Sequence, residues 1–149
     1  MALHAKAEKT LAEWHRMVDA RDLSQVASLC APEIVFRSPV AHTPYEGAPL
    51  VAQFLQQALL AFSDFAYQRT FYAGDHSAVL EFSGRVGDKA LKGIDMIHFD
   101  ADGRMSEFEV MVRPATGLQA LGAEMTRRMT PILAAHKKQG SGDQVSGSS

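Results

Sequence analysis

A chain of 149 residues with 46% hydrophobic and 21% charged side chains has the size and make-up of one globular domain. Its formal net charge of −2 leaves no electrostatic footprint for nucleic acid or an anionic membrane, and its single cysteine, Cys30, excludes an internal disulfide or a cysteine metal site. No apolar run approaches a membrane span, and the opening Met1-Ala2-Leu3-His4-Ala5-Lys6 lacks a signal-peptide core, so a cytoplasmic location is expected.

In chain order, residues 5–20 place Leu11, Trp14, Met17 and Val18 at helical spacing, which predicts an amphipathic first helix. Asp22 suits the N-cap of a short second helix carrying Leu23, Val26, Ala27 and Leu29, with Cys30 as a small buried side chain and Pro32 as the stop. Residues 33–38 read as a strand with Ile34 and Phe36 on one face, and residues 38–47 as a loop by their prolines and glycine. Pro49 fits the first turn of a helix bearing Val51, Phe54, Leu55, Ala58, Leu59 and Phe62. Four strands follow: 65–73, 77–86, 89–99 and 104–113. Their two-faced alternation favours an antiparallel sheet with one face on helices, although Arg69 interrupts the face of Phe65, Tyr67 and Phe71. Residues 118–135 have helical composition broken by Pro131, giving one helix that ends before it or two short ones. Residues 1–136 form the domain, and 137–149 read as a polar, disordered tail.

Asp95 is the residue that breaks the pattern. In Gly93-Ile94-Asp95-Met96-Ile97-His98-Phe99 it shares a strand face with Ile97 and Phe99. If that face is buried, the carboxyl must be paired, hydrogen-bonded or protonated; the plainer alternative is a strand-end Asp reaching water or a backbone amide. The histidines offer less. His42 lies in the proline-rich loop, His76 in a turn, His98 opposite Asp95, and His15 beside Trp14 on a helix, all read as surface positions. No histidine pair has metal-ligand spacing on one element, so no metal is expected, and no phosphate loop or nucleophile elbow is present.

Several local marks occur in a telling order: Val18-Asp19-Ala20-Arg21-Asp22, Ser38-Pro39-Val40, Glu46-Gly47, Gly93-Ile94-Asp95 and Asp102-Gly103-Arg104. Together with three helices and a strand followed by a meander of long strands, they resemble the nuclear-transport-factor-2-like superfamily, and within it the SnoaL-like proteins and ketosteroid isomerases. The resemblance implies an α+β fold in which a curved antiparallel or mixed sheet wraps the N-terminal helices into a cone with an internal pocket.

Ketosteroid isomerases place a tyrosine in the first helix, an Asp base in an Asp-Pro-Val motif and a second Asp in a strand like Ile-Asp-His-Phe. The matching positions here are Trp14, Ser38 and Asp95. A serine hydroxyl is too weakly basic to take a carbon-bound proton unaided, so the isomerase mechanism is not expected in its standard form. SnoaL-like cyclases use a pocket carboxyl in ring closure, and Asp95 would fill that role, with Trp14 or Ser38 donating to a carbonyl. A limonene-epoxide-hydrolase set would need Arg69 paired with Asp95 and a second carboxylate; Glu107 and Glu109 fall on the face away from Phe108 and Val110, so that set is incomplete.

The expected pocket takes a small apolar ligand between Phe36, Tyr45, Phe54, Arg69, Leu80, Phe82, Ile97, Phe108 and Val110, without a cofactor. A homodimer through the outer sheet face, with Met96, His98, Glu107, Glu109 and Met111, is also expected. The competing expectation is a non-catalytic dimerisation or protein-binding module whose cone is filled by side chains.

Overall fold

The computed structural model describes the backbone of residues 2–148 and the side chains of residues 2–138. Helix α1 (Ala5–Asp19) buries Ala7, Leu11, Trp14, Met17 and Val18, the stripe its periodicity predicts. His4 caps its start, Nδ1 accepting from the Ala7 amide at 3.3 Å. Its end is a Schellman turn: the Arg21 amide donates to Val18 O and the Asp22 amide to Met17 O, each at 3.0 Å. Arg21 holds the left-handed position glycine ordinarily fills, at φ 52°. Its guanidinium donates to Leu59 O and Phe62 O, each at 3.2 Å, and so ties the end of α1 to the end of the next helix.

Only a single 3-10 turn, Val26–Leu29, forms where a second helix was expected. Asp22 caps a local turn instead, its Oδ1 accepting from the Ser24 amide. Strand β1 (Cys30–Arg37) therefore begins earlier than the proline suggested. Pro32 sits inside it, between the paired residues Cys30 and Val35 where the ladder is irregular, so its missing N–H breaks no regular bond. The loop contains a short strand, β2 (Tyr45–Glu46), before helix α2 (Ala48–Ala61). Strands β3 (Ser63–Ala73), β4 (Ser77–Val86), β5 (Lys89–Phe99) and β6 (Met105–Arg113) match the predicted four to within two residues at their ends. Helix α3 (Ala115–Ser148) runs through Pro131 rather than stopping before it. Most of the segment expected to be a polar tail, residues 137–149, lies outside the residues whose side chains are described.

The six strands form one mixed sheet in the order β2-β1-β6-β5-β4-β3, parallel between β1 and β6 and antiparallel elsewhere. Its inner face packs on α1 and α2 through Ile34, Phe36, Leu80, Phe82, Ile97, Phe99 and Phe108, all nearly inaccessible. Two β-bulges shape β3. Asp64 and Phe65 together oppose Gly84, and Gln68 and Arg69 together oppose Glu81. Each inserts one residue, bends the strand and re-aims the side chains beyond it.

Close packing at the centre depends on Gly93. A Cβ there would lie 2.4 Å from Met111 O and 2.6 Å from Cζ of Phe82, whose ring crosses the strand at that point. Gly93→Ala should therefore destabilise the protein by about 1–3 kcal/mol through overpacking. Urea unfolding at neutral pH measures it, and an unchanged midpoint would show that the sheet yields freely here.

Candidate functional site

The strand register decides what Asp95 faces. It pairs with Leu80 on β4 and Val110 on β6, so these three side chains form one row across the inner face. Asp95 is 5% exposed and borders a cavity of about 60 Å³. The walls are Trp14 and Val18 from α1, Phe36 from β1, Phe54, Leu55, Ala58 and Leu59 from α2, Phe65 and Tyr67 from β3, Phe82 from β4, and Phe108 and Val110 from β6. Leu23, Pro39, Val40 and Phe62 complete it from the connections, and Leu121 and Met125 from α3. The aromatic rings brace one another: Phe36 lies 4.5 Å from Phe54 and 5.5 Å from Phe108, Trp14 meets Phe108 edge-on at 5.4 Å, and Phe65 stacks on Phe82 at 5.1 Å.

Into this apolar space a short hydrogen-bonded chain projects. Trp14 Nε1–H donates to the Tyr67 hydroxyl oxygen at 3.0 Å, and the Tyr67 O–H donates to Asp95 Oδ2 at 2.6 Å. Burial raises the Asp95 carboxyl from its ordinary 3.8 to about 7, and the Tyr67 hydrogen bond pulls in the opposite direction with less effect. Burial, then the neighbouring Asp95 charge, holds the Tyr67 hydroxyl well above its ordinary value. Asp95 Oδ1 has no protein partner among the described residues. Among the described residues no fully enclosed side-chain oxygen or nitrogen lacks one, so Oδ1 is not sealed off and opens onto the cavity that Asp95 lines.

The expected site residues divide. Asp95, Trp14, Phe36, Phe54, Phe82, Phe108 and Val110 are brought together around the cavity. Leu80 and Ile97 are buried on the same face, as core behind the walls rather than as walls. Ser38 is not part of it. Its Oγ accepts from the amides of Val40 at 3.2 Å and Ala41 at 2.9 Å, so the side chain is committed to holding its own loop. Ser38 and Tyr45 instead border a neighbouring cavity of about 110 Å³ that shares Val40, Phe54 and Met125 with the first.

Arg69 is a correction. The bulge at Gln68–Arg69 turns it to the outer face, where its guanidinium grips both Glu81 oxygens at 2.9 and 2.7 Å. Lys92 Nζ adds a contact to Glu81 at 3.1 Å. The Arg69 hydrogen bonds, chiefly, hold the Glu81 carboxyl at about 2. His15 is likewise not a free surface residue: its ring meets Tyr67 edge-on at 5.2 Å, and burial lowers its pKa.

The cavity residue that patterning missed is Tyr67. The signal was present in the alternation of Phe65 and Tyr67, and Arg69 obscured it. Among the described residues no cluster of histidine, cysteine and carboxylate side chains is arranged to hold a metal ion, and no helix is long and apolar enough to cross a membrane.

Residues 11–108 match the model of the SnoaL-like domain. Among solved structures, a steroid delta-isomerase from Pseudomonas aeruginosa is 57% identical over 89% of this chain and 97% of its own, with a TM-score of 0.85. An uncharacterised protein with a cystatin-like fold from Silicibacter pomeroyi is 29% identical over 88% of this chain and 92% of its own, with a TM-score of 0.80. The epoxide hydrolase/cyclase-like enzyme SalBIII shares the fold at a TM-score of 0.61 with 14% identity, over 75% of this chain and 93% of its own. No curated protein matches the chain.

The raised Asp95 value fixes a stability profile. Below 3.8 the carboxyl is protonated both folded and unfolded, so it imposes no ionisation penalty. Between 3.8 and about 7 the unfolded chain ionises while the folded one does not, and stability falls; above about 7 the penalty is complete, of order 4 kcal/mol. Asp95→Asn should match the parent near pH 4 and exceed it at pH 8 in urea unfolding. Strong destabilisation of Asp95→Asn at pH 8 would instead make the carboxylate a structural partner.

Proposed function

The chain belongs to the SnoaL-like domain family, and on that premise we propose that it binds a small apolar molecule bearing a carbonyl group and performs acid/base chemistry on it, of isomerase, cyclase or lyase type, with Asp95 as the key carboxyl. The observation that carries this reading is the open Oδ1 of Asp95 in an otherwise apolar cavity. A carboxyl titrating at about 7 is matched to proton transfer near neutral pH, since it is present in both forms. The name of the Pseudomonas aeruginosa relative supports the isomerase class.

In an intramolecular ring closure, Asp95 would give its proton to the carbonyl oxygen as the new carbon–carbon bond forms, and the proton released by the nucleophilic carbon would restore it. In an enolisation, the ionised carboxylate would take the proton next to the carbonyl and return it at another carbon. Either cycle leaves the protein unchanged and needs one carboxyl. Among the described residues Asp95 is the one carboxylate lining the cavity.

The volume of about 60 Å³ is well below the ~300–1,000 Å³ usual for ligand pockets. A ligand of more than a few atoms needs wall side chains to move, and Val40, Phe54 and Met125 border both this site and the neighbouring cavity. That small volume favours the second reading, a non-catalytic module with a filled cone, and the unpartnered Oδ1 argues against it. Both readings include a homodimer through the outer sheet face, where Met96 is 38% and Met111 48% exposed, and a cytoplasmic location.

The test is deuterium incorporation beside the carbonyl of cyclohexanone in heavy water, followed by proton NMR. Exchange above the buffer rate, reduced about 10²-fold or more in Asp95→Asn, is expected; exchange at the buffer rate together with no detectable ketone binding would sink the reading. A 3-keto-Δ5 steroid should not turn over at enzymatic rates, because a cavity of about 60 Å³ does not admit it and position 38 carries a serine that is spent on loop amides. Steroid turnover by the parent chain would overturn that argument.

A further inference from the structure

We infer that a small apolar molecule reaches the chamber through the gap between residues 39–44 and α3, and that Val40 is the gate of this entrance with Gly122 as its seat. Access is a property of the walls and not of the chemistry at Asp95, so this goes beyond the carbonyl-binding reading and stands apart from it.

Three side chains border both the chamber and its neighbour, and they are held very differently. Phe54 is buried between the rings of Phe36 at 4.5 Å and Tyr45 at 5.2 Å, and Met125 is buried on α3. Val40 lines the chamber yet is 50% exposed, so one side chain separates the apolar interior from water there. The loop that carries it is lightly tethered. Ser38 Oγ accepts from the amides of Val40 and Ala41, which shapes the loop without tying it elsewhere. Among the described residues no backbone hydrogen bond joins residues 39–44 to another element, and His42, Thr43 and Pro44 are exposed. Opening therefore breaks none of the ladder or helix bonds and uncovers little beyond the buried half of Val40.

The other side of the gap is fixed. Near the start of α3, a Cβ at Gly117 would lie 2.7 Å from Cβ of Leu91 and 2.9 Å from Ala90 O, so the helix rests directly on β5. Further along, Arg128 donates to Gln57 Oε1 at 3.2 Å and to Leu60 O at 3.4 Å, both on α2. Between these anchors a Cβ at Gly122 would lie 3.1 Å from Cγ1 of Val40, so the bare helix backbone is what lets Val40 close. The opposite wall offers no such weak point. A cleft of about 350 Å³ beside His15, Asp19 and Arg21 shares Val18, Leu59, Phe65 and Tyr67 with the chamber. There Phe65 is braced by Phe62 at 5.2 Å and by Tyr67 and Phe82 at 5.1 Å, Tyr67 is bonded to Trp14 and Asp95, and Arg21 joins the ends of α1 and α2. The entrance itself is framed by Pro39, Val40, Leu121 and Met125, an apolar rim suited to apolar molecules.

Trp14 is the single tryptophan of the chain and lines the chamber, so quenching of its fluorescence by trichloroethanol, read from lifetimes, reports entry. A Cβ at position 122 would lie 3.8 Å from Cβ of Val40, matching the mean of about 3.8 Å found in disulfides. Val40→Cys combined with Gly122→Cys should therefore lock the gate when oxidised and release it when reduced. Cys30 takes no part, being buried with its thiol pushed up to about 12. In this one protein the bimolecular quenching constant should fall about fivefold or more on oxidation and recover with dithiothreitol. Val40→Ala, which trims a half-exposed side chain, should raise the constant above that of the parent. Equal quenching of the oxidised and reduced forms would overturn the inference, as would a Val40→Ala protein quenched no faster than the parent. Two cysteines that fail to join under oxidant would overturn it as well, by removing the contact on which the gate closes. Trichloroethanol carries no carbonyl, so these results leave the carbonyl-binding reading untouched, and the failure of ketone exchange leaves the gate untouched.

Discussion

A carboxyl enclosed by aromatic rings survives only because one of its oxygens is served by a hydroxyl, and much of the interior is arranged around that contact. The Tyr67 O–H meets Asp95 across the width of β4, bringing together strands β3 and β5 that do not pair with each other. For the two groups to meet, β3 must curl over the face of its neighbour, and the bulges on either side of Ala66–Tyr67 supply that bend. Trp14 then closes the chain from α1, and the α1 stripe sets its rotation about the helix axis. The end of α1 is pinned in turn by Arg21, which accepts a left-handed backbone in order to reach two carbonyls at the end of α2. Sheet curvature, helix rotation and helix ending are thus separate local features that converge on one 2.6 Å bond.

The bulge that follows Tyr67 sends Arg69 outward, and the two faces of β3 acquire opposite electrostatic characters within three residues. Inside, a single carboxyl is pushed toward neutrality by burial. Outside, Glu81 is covered by the guanidinium of Arg69 and the ammonium of Lys92, and is held firmly ionised. Both carboxylates belong to the central strands and are little exposed, at 5% for Asp95 and 7% for Glu81. What separates them is the covering: phenyl and indole rings in one case, cations in the other.

Local patterning was enough for the four long strands, for both amphipathic helices and for the inward face of Asp95, because period-2 and period-3.6 alternation survive in each. It failed where the outcome depends on a distant partner. The extra residue at Gln68–Arg69 exists only relative to Glu81, thirteen residues from Gln68, so nothing in the order of β3 alone announces it. Continuous alternation would have put Arg69 beside Tyr67, and a pocket arginine was the natural expectation. Ser38 occupies the position its motif indicated, yet its orientation follows from the amides of Val40 and Ala41, which a motif does not describe. Pro131 read as a stop because proline removes a helical donor, whereas α3 continues through it.

Helix α3 and the Ser38–Ala41 loop contribute Leu121, Met125, Pro39 and Val40 to the cavity, while every member of the Trp14–Tyr67–Asp95 chain lies on α1 or the sheet. Leu121 and Met125 also fall beyond residues 11–108, the stretch matched by the domain model. One side of the cavity is therefore built by segments that carry none of the three hydrogen-bonded side chains. A replaced or repositioned C-terminal helix would reshape this side of the chamber and leave the Trp14–Tyr67–Asp95 hydrogen bonds in place.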